Sequence, residues 1–294
     1  MYRMFDLDEW NRSQNDYVGI MTWWTIHEAT VSVEDVQQNL LLSGFTSDDV
    51  KKLVREPSVT TVMRRAGRAI EKTHDHRIAR VVSRKGEKLV MGVVEEDVDE
   101  QNQQLGYNHD TTMTVEKRSK EFRASGALAR EAMQQIDYFK DSITERDVQT
   151  LLRRIVGLSW GVSMRPTGGI YFVPRGKVQG IFSADDFLRR MGLGYMIFMR
   201  VPDGDCERAA AWESAKREVK RQTNSISEAA AKIEKKPSFL VKQKDRLTEV
   251  SKLLDFFADL TVQKGQFGEF GDLDDQIKKV EHNIEKKMEV MAAR

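Results

Sequence analysis

The stretch TERDVQTLLRRIVGLSWGVSMRPTGGIYFVPRGK, Thr144–Lys177, contains the densest set of structure-forming signals in the chain. Its first half has the pattern of a capped helix, because Thr144 is followed three residues later by Asp147. Apolar residues then recur with the spacing of one buried helix face, at Val148, Leu151, Leu152 and Ile155. Gly157 is a natural end for this helix.

The second half predicts a β-hairpin. Trp160, Val162 and Met164 alternate with small residues before the turn, and Ile170, Phe172 and Pro174 alternate after it. Between the two runs, residues 166–169 (PTGG) supply glycines that tolerate positive φ. The capped helix therefore leads directly into a tight aromatic hairpin.

Two segments resemble a known family. Met164–Pro174 (MRPTGGIYFVP) and Arg80–Glu96 (RVVSRKGEKLVMGVVEE) are similar to a family of phage and mobile-element proteins whose function is unknown. The resemblance implies a phage, plasmid or prophage setting and the bacterial cytoplasm. It implies no activity, and it assigns no catalytic residue.

Composition narrows the class of protein. The chain has 294 residues, 32% of them charged, and a single cysteine, Cys206, which excludes an intrachain disulfide. No apolar run approaches the roughly 20 residues that span a bilayer, and the first residues lack the form of a signal peptide. We therefore expect a cytoplasmic protein with no membrane segment.

The order of elements predicts an α+β fold in three parts, with boundaries at 1–117, 118–202 and 203–294. In the first part, three helices within residues 33–72 precede a basic hairpin (residues 77–96) and a third strand, 111–117. This order is typical of a winged helix-turn-helix domain, whereas the third strand favours a small α+β domain whose basic helix face is solvated. The second part contains a helix (122–139), the Thr144–Lys177 helix–hairpin unit, a short helix (185–191) capped by Ser183, and a strand (195–201) that pairs with the hairpin.

The third part predicts an antiparallel α-helical coiled coil. Apolar residues repeat every seven positions, which holds a narrow seam on one side of each helix. Pro237 and the glycines of 265–271 divide the run into three helices. We expect homo-oligomerisation through this seam, formed by Trp212, Val219, Ile226, Ile233, Leu240, Leu247, Leu254, Ile277 and Ile284.

Charge is segregated along the chain although the net charge is only +1. Residues 1–50 hold 2 basic and 9 acidic side chains, whereas residues 51–90 hold 12 basic and 4 acidic ones. Basic residues with interleaved aromatics predict contact with DNA or RNA phosphates. The candidate nucleic-acid-binding residues are Arg64, Arg65, Arg68, Lys72, Arg77, Arg80, Arg84 and Lys85 in the first part, and Arg153, Arg154, Arg165, Arg175 and Lys177 beside Trp160, Tyr171 and Phe172 in the second.

Catalytic and metal-binding patterns are weak. His74 and His76 could bind a metal ion together, but no third ligand follows at a spacing typical of metal sites. The acidic residues from Glu95 to Glu100 form one contiguous run, whereas a metal site needs carboxylates from separate elements. We therefore predict no catalytic residue, no metal and no cofactor. The function that the sequence favours is non-enzymatic nucleic-acid binding with self-association. The alternative is an interaction or scaffold factor with a phage or host protein partner and no nucleic-acid role.

Overall fold

A computed structural model describes residues 17–73, 77–84, 86–98, 104–108, 111–233, 237–261 and 267–292. The chain divides into two units: an inserted unit, Ile26–Leu151, and a terminal unit made of the chain up to Thr25 and from Leu152 onwards. The predicted boundaries after residues 117 and 202 do not coincide with this division. The reason is a long-range pairing in which β1 (Tyr17–Ile26) lies antiparallel to β10 (Tyr171–Pro174).

The inserted unit begins with a two-stranded pairing and three helices. Strand β2 (Thr30–Ser32) pairs with β8 (Ser142–Thr144). Helices α1 (Val33–Leu42), α2 (Ser47–Leu53) and α3 (Val59–Thr73) follow β2, in the order that the sequence predicts.

An antiparallel sheet completes the inserted unit. Its strands are β3 (Arg77–Ser83), β4 (Lys88–Val98), β5 (Gln104–Asn108), β6 (Thr112–Glu116) and β7 (Glu121–Ser125). The order is β3-β4-β6-β7, with β5 also paired to β4, and the third predicted strand therefore does join the basic hairpin. Helix α3 packs on one sheet face together with α4 (Ala127–Gln134) and α5 (Ile136–Lys140), around a core that includes Met63, Met91 and Met113.

The single helix predicted over residues 122–139 is wrong. Phe122 and Ala124 alternate towards the core in β7, where Phe122 pairs with Val115 of β6. Gly126, at φ 89°, then separates this strand from α4. Cross-strand pairing overrides the local helix propensity of the segment.

Helix α2 begins with a complete capping box. The Thr46 hydroxyl accepts from the Asp49 amide, and the Asp49 carboxylate accepts from both the amide and the hydroxyl of Thr46. The hydrogen bond from the Thr46 side chain holds the pKa of Asp49 below its ordinary value of 3.8. This cap accounts for the sharp start of the helix after Phe45.

The lowered pKa of Asp49 gives a pH prediction. Because the folded state holds Asp49 more acidic than the unfolded chain does, its contribution to stability is present above a pH of about 3.8 and is lost as the pH falls through the folded-state pKa. We expect Asp49→Asn to lower the midpoint of urea unfolding at neutral pH, and the gap from the wild type to close at acid pH. A gap that stays constant with pH would contradict this assignment.

The terminal unit contains the last part of α6 (Glu145–Leu158), a four-stranded sheet and the remaining helices. The sheet has the order β11-β1-β10-β9, with β9 at Val162–Ser163 and β11 at Gly194–Pro202. The predicted hairpin forms, with Phe172 opposite Val162. Strand β11 does not pair with it, because β1 lies between them.

Helix α7 (Gln179–Arg190) starts earlier than the sequence predicts, and Ser183 is buried inside it instead of capping it. The buried carboxylate of Asp185 accepts from the amide of Met196 (2.7 Å) and from Nε of Arg189 (2.7 Å). Asp185 thereby joins α7 to the start of β11.

The C-terminal helical region is a three-helix bundle of α8 (Asp205–Ala231), α9 (Pro237–Thr261) and α10 (Phe267–Ala292). Lys244 on α9 pairs with Glu285 on α10 (2.5 Å), and Arg208 on α8 donates to the Leu260 carbonyl on α9. Contacts of Lys216 with Glu269 and of Lys287 with the Ala230 carbonyl place α8 parallel to α10. The chain thus runs up, down and up through the bundle.

The seam residues pack inside this one chain. Eight of the nine predicted oligomerisation residues are buried in its own core, and Ile233 is partly buried against that core. A second copy could reach them only by opening the bundle. The seam residues therefore form an intramolecular core, and self-association stays a prediction without an assigned surface. None of the described helices is long and apolar enough to cross a membrane.

Candidate nucleic-acid interface

Helix α3 has one buried face and one basic face. Val62, Met63, Ala66 and Ile70 are buried against the sheet. A methyl group on Gly67 would lie 2.7 Å from both the Ala79 side chain and the Met91 sulfur, so this glycine allows α3 to lie close to β3. The opposite face of the helix carries the exposed side chains of Arg64 and Arg68, one turn apart.

Strand β3 brings a second pair of arginines to the same place. Arg80 on β3 and Arg84 just after it are exposed, and they line an open groove with Arg64 and Arg68. The groove has a volume of about 710 Å³, and the β3 residues Ile78, Ala79 and Val81 contribute to its floor. Four predicted phosphate-binding residues therefore converge from two elements.

The positive charge of this groove is largely uncompensated by nearby carboxylates. Among the described residues that line it, the one acidic residue is Glu71. Its carboxylate accepts a hydrogen bond from the Ala79 amide (2.8 Å) and is thereby held against the edge of β3. Within the part of the chain that the structure describes, Arg64, Arg68, Arg80 and Arg84 form no ion pair or side-chain hydrogen bond. Among the described residues, the groove therefore presents four guanidinium groups without an ionic partner beside one carboxylate that is already hydrogen-bonded.

Two of the predicted phosphate ligands have internal roles instead. Arg65, whose side chain is 11% exposed, pairs with Asp147 and donates to the Ser142 carbonyl (2.9 Å). Arg77, 12% exposed, pairs with Glu95 (3.5 Å) and Glu131 (3.1 Å). Since carboxylates of the chain itself neutralise both guanidinium groups, neither is a free ligand for an external anion.

The other lysines of the first cluster add little. Lys72 is exposed, and its ammonium group lies 3.8 Å from the equally exposed carboxylate of Glu28, a pairing that contributes little to stability.

Lys85, His74 and His76 lie outside the residues that the structure describes. Glu95, at the start of the acidic run, is committed to Arg77. In the described segments no three histidine, cysteine or acidic side chains are grouped so as to hold a metal ion.

The second predicted cluster belongs to the terminal unit. Arg153, Arg165 and Arg175 are exposed there, and Arg154 is half-buried. The ammonium group of Lys177 lies 4.4 Å from the ring centre of Trp160, and Trp160 packs edge-on against Phe256 of α9. Phe172 is buried in the core, so neither Trp160 nor Phe172 is a free stacking surface.

One aromatic pair was not predicted from the sequence. Trp24 of β1 stacks on Tyr171 of β10, with ring centres 5.2 Å apart and planes within 4° of parallel. Both rings are half-buried. The register that opposes Thr22 to Tyr171 places Trp24 two residues further along the same sheet face. Only the pairing of strands about 150 residues apart could reveal this contact.

The fold and this groove define a mixed α+β protein with a C-terminal helical bundle and, on its inserted unit, a cluster of arginines that have no ionic partner among the described residues. Its particular family follows from sequence comparison. Residues 17–286 match DUF6744, a family of unknown function, and the chain belongs to this family. Comparisons with curated proteins and with solved structures gave no match.

Proposed function

We propose that this protein is a non-enzymatic nucleic-acid-binding protein and that the arginine groove of the inserted unit is its phosphate-binding surface. The observation that supports the proposal best is the convergence of Arg64, Arg68, Arg80 and Arg84 on one groove without carboxylate partners among the described residues. Guanidinium groups suit this role because they stay charged and donate several hydrogen bonds in a fixed plane.

The expected recognition has little sequence specificity. Phosphate contacts fix position and supply affinity, whereas base identity is read by side chains that reach base edges. Among the described residues, the polar side chains that line the groove are arginines and Glu71, and Glu71 is already hydrogen-bonded to the sheet edge. We further propose a phage or mobile-element setting and a cytoplasmic location, as the resemblance of the hairpin motif implies.

A salt titration tests the proposal. Fluorescence anisotropy with labelled duplex DNA, single-stranded DNA and RNA should show binding that weakens as salt rises. If all four arginines contact phosphates, the logarithm of the affinity should fall with a slope of about −3.6 on duplex and about −2.8 on single strands. Replacing the four arginines with glutamine should remove most of this slope and, at low salt, weaken binding by about 100-fold.

A matched control separates the groove from net charge. It replaces four exposed arginines of the same unit that lie outside the groove, and it should keep binding within about 3-fold of the wild type. These control positions are Arg55, Arg118, Arg130 and Arg146. Equal loss in the groove and control variants would reduce the effect to bulk charge and reject the groove as the site.

The alternative function is that of a protein-interaction factor. Leu41 and Leu42, at the end of α1, favour it because their side chains are 45% and 67% exposed. Absence of nucleic-acid binding at low salt would support this alternative over the proposed function.

A further inference from the structure

The Trp24–Tyr171 pair of the terminal unit lies next to a tight loop. The loop, residues 165–170, is closed by two backbone hydrogen bonds, from the Met164 amide to the Ile170 carbonyl (2.9 Å) and from Gly168 to Arg165 (3.0 Å). Gly168 and Gly169 have φ of 76° and 92°, a backbone conformation that other residues rarely adopt. A methyl group on Gly168 would lie 3.4 Å from the Tyr171 hydroxyl, so the loop is in contact distance of the aromatic pair.

The same loop holds a guanidinium group. Nε of Arg165 donates to the Gly168 carbonyl (3.3 Å), and a methyl group on Gly169 would lie 2.9 Å from the Nη2 atom. Arg165 is exposed and forms no ion pair with any described carboxylate. The two glycines thus bring a solvent-facing cation and the Tyr171 hydroxyl to the same tight loop.

The local sequence is depleted of negative charge. Residues 148–184 contain five basic side chains and no acidic one, and strand β1 (Tyr17–Ile26) carries neither an acidic nor a basic residue. A ligand at this loop therefore meets aromatic faces and positive charge without repulsion from nearby carboxylates of these segments. The chemistry that matches this combination is a planar ring with an attached anion.

We propose that Trp24, Tyr171 and Arg165 form a nucleotide-binding site, in which an unstacked base packs on the aromatic pair and its phosphate is bound by the guanidinium group. Aromatic side chains bind bases without sequence preference because every base has a π face, and an arginine beside them neutralises the backbone. In duplex DNA the bases are already stacked. The site therefore selects a single strand or a free nucleotide over a duplex.

This inference deepens the proposed function, and it rests on that function for its statement that the nucleotide belongs to a bound strand. A strand bound by this protein and a free mononucleotide present the same chemistry. The two sources are distinguished by using a labelled 12-nucleotide single strand, a duplex and AMP as separate probes. The arginine groove lies in the other unit and involves none of these three residues.

The experiment compares Tyr171→Leu, Trp24→Leu and Arg165→Gln with the wild type. Each should weaken binding of the single strand by about 10-fold, the loss of one base stack or one phosphate contact, and leave duplex binding unchanged. Arg165 is exposed, so Arg165→Gln keeps the test decisive if a leucine variant unfolds. Tyr138→Leu, at a tyrosine exposed elsewhere, is the matched control and should have no effect.

The outcomes separate the inference from the proposed function. If the groove variants abolish strand binding and the three stacking-site variants change binding of neither the strand nor AMP, the inference is overturned and the proposed function stands. If the groove variants have no effect but AMP binds and is lost in Tyr171→Leu, the site is retained with a free nucleotide as its ligand. A wild type that binds neither the single strand nor AMP overturns the inference.

Discussion

Replacing Asp147 with alanine is expected to destabilise the protein by about 3–5 kcal/mol, the largest effect we predict for any surface-accessible polar residue. Asp147 performs two functions at the start of α6. Its carboxylate accepts from the amide and hydroxyl of Thr144 (2.8 Å each), and it pairs with the guanidinium group of Arg65 on α3. Removal of the carboxylate leaves a mostly buried arginine without its anion.

The matched control for Asp147 is Asp49, which occupies the same position of the same capping pattern. Asp49 accepts from the amide and hydroxyl of Thr46 with similar geometry, and both residues are accessible to solvent. The cation that favours its charged form is Lys52 on the helix surface, and no ion pair with a buried arginine is found for it among the described residues. Asp49→Ala should therefore cost only about 1 kcal/mol, the usual magnitude for a lost helix cap.

Urea unfolding of the two variants measures the difference, and a double variant assigns its cause. If the cost of Asp147→Ala comes from the buried charge of Arg65, then adding Arg65→Met should recover about 2 kcal/mol of it, because a packed apolar side chain replaces the unpaired ion. Equal losses in Asp147→Ala and Asp49→Ala would show that Asp147 is a helix cap and nothing more.

This pair of carboxylates shows why sequence predicts local structure better than it predicts roles. Thr46–Asp49 and Thr144–Asp147 are the same pattern, and a helix begins directly after Thr46 and after Thr144, the second of them as the sequence predicts. The additional role of Asp147 depends on Arg65, 82 residues away, which α3 brings into contact only after folding. Local capping is decided within four residues, but the ion pair is decided by the tertiary structure.

At the candidate site, too, the sequence predicts the features that are decided locally and misses those that depend on tertiary structure. The apolar positions of α3 identify its buried face, and Arg64 and Arg68 lie opposite that face, so their exposure could be inferred from periodicity. Arg65 lies at the flank of the helix, and Arg77 is in a strand, where their neighbours come from distant segments. The heptad seam likewise revealed which faces of α8, α9 and α10 are buried, but a repeat cannot distinguish burial within one chain from burial between two copies.

The second prediction with a large effect concerns Gly19, near the start of β1. A methyl group at this position would lie 2.5 Å from the Val173 carbonyl oxygen and 2.6 Å from the Phe172 ring. Phe172 is fully buried, and its ring contacts Phe257 of the bundle with the two ring centres 6.1 Å apart. Because Gly19 has no side chain, the Phe172 ring can lie over β1 at this position and pack against Phe257 of α9.

Gly19→Ala should destabilise the protein by about 1–3 kcal/mol, and Gly19→Val by more, because neither a backbone oxygen nor an enclosed ring can move aside cheaply. Gly157→Ala is the matched control. That glycine is exposed in α6, no atom lies within 4 Å of an added methyl group, and the change should stabilise the helix by about 0.5–1 kcal/mol.

Thermal unfolding of Gly19→Ala and Gly157→Ala, each alone and combined with Phe172→Leu, tests the mechanism as well as the magnitude. If the added methyl group of Gly19→Ala clashes with the Phe172 ring, Gly19→Ala and Phe172→Leu together should be less destabilising than the sum of their separate effects. The expected coupling is about 1 kcal/mol or more. Strict additivity would assign the whole cost to the Val173 carbonyl. In that case Gly19 is required by the backbone pairing of β1 with β10, independently of which side chain lies above it.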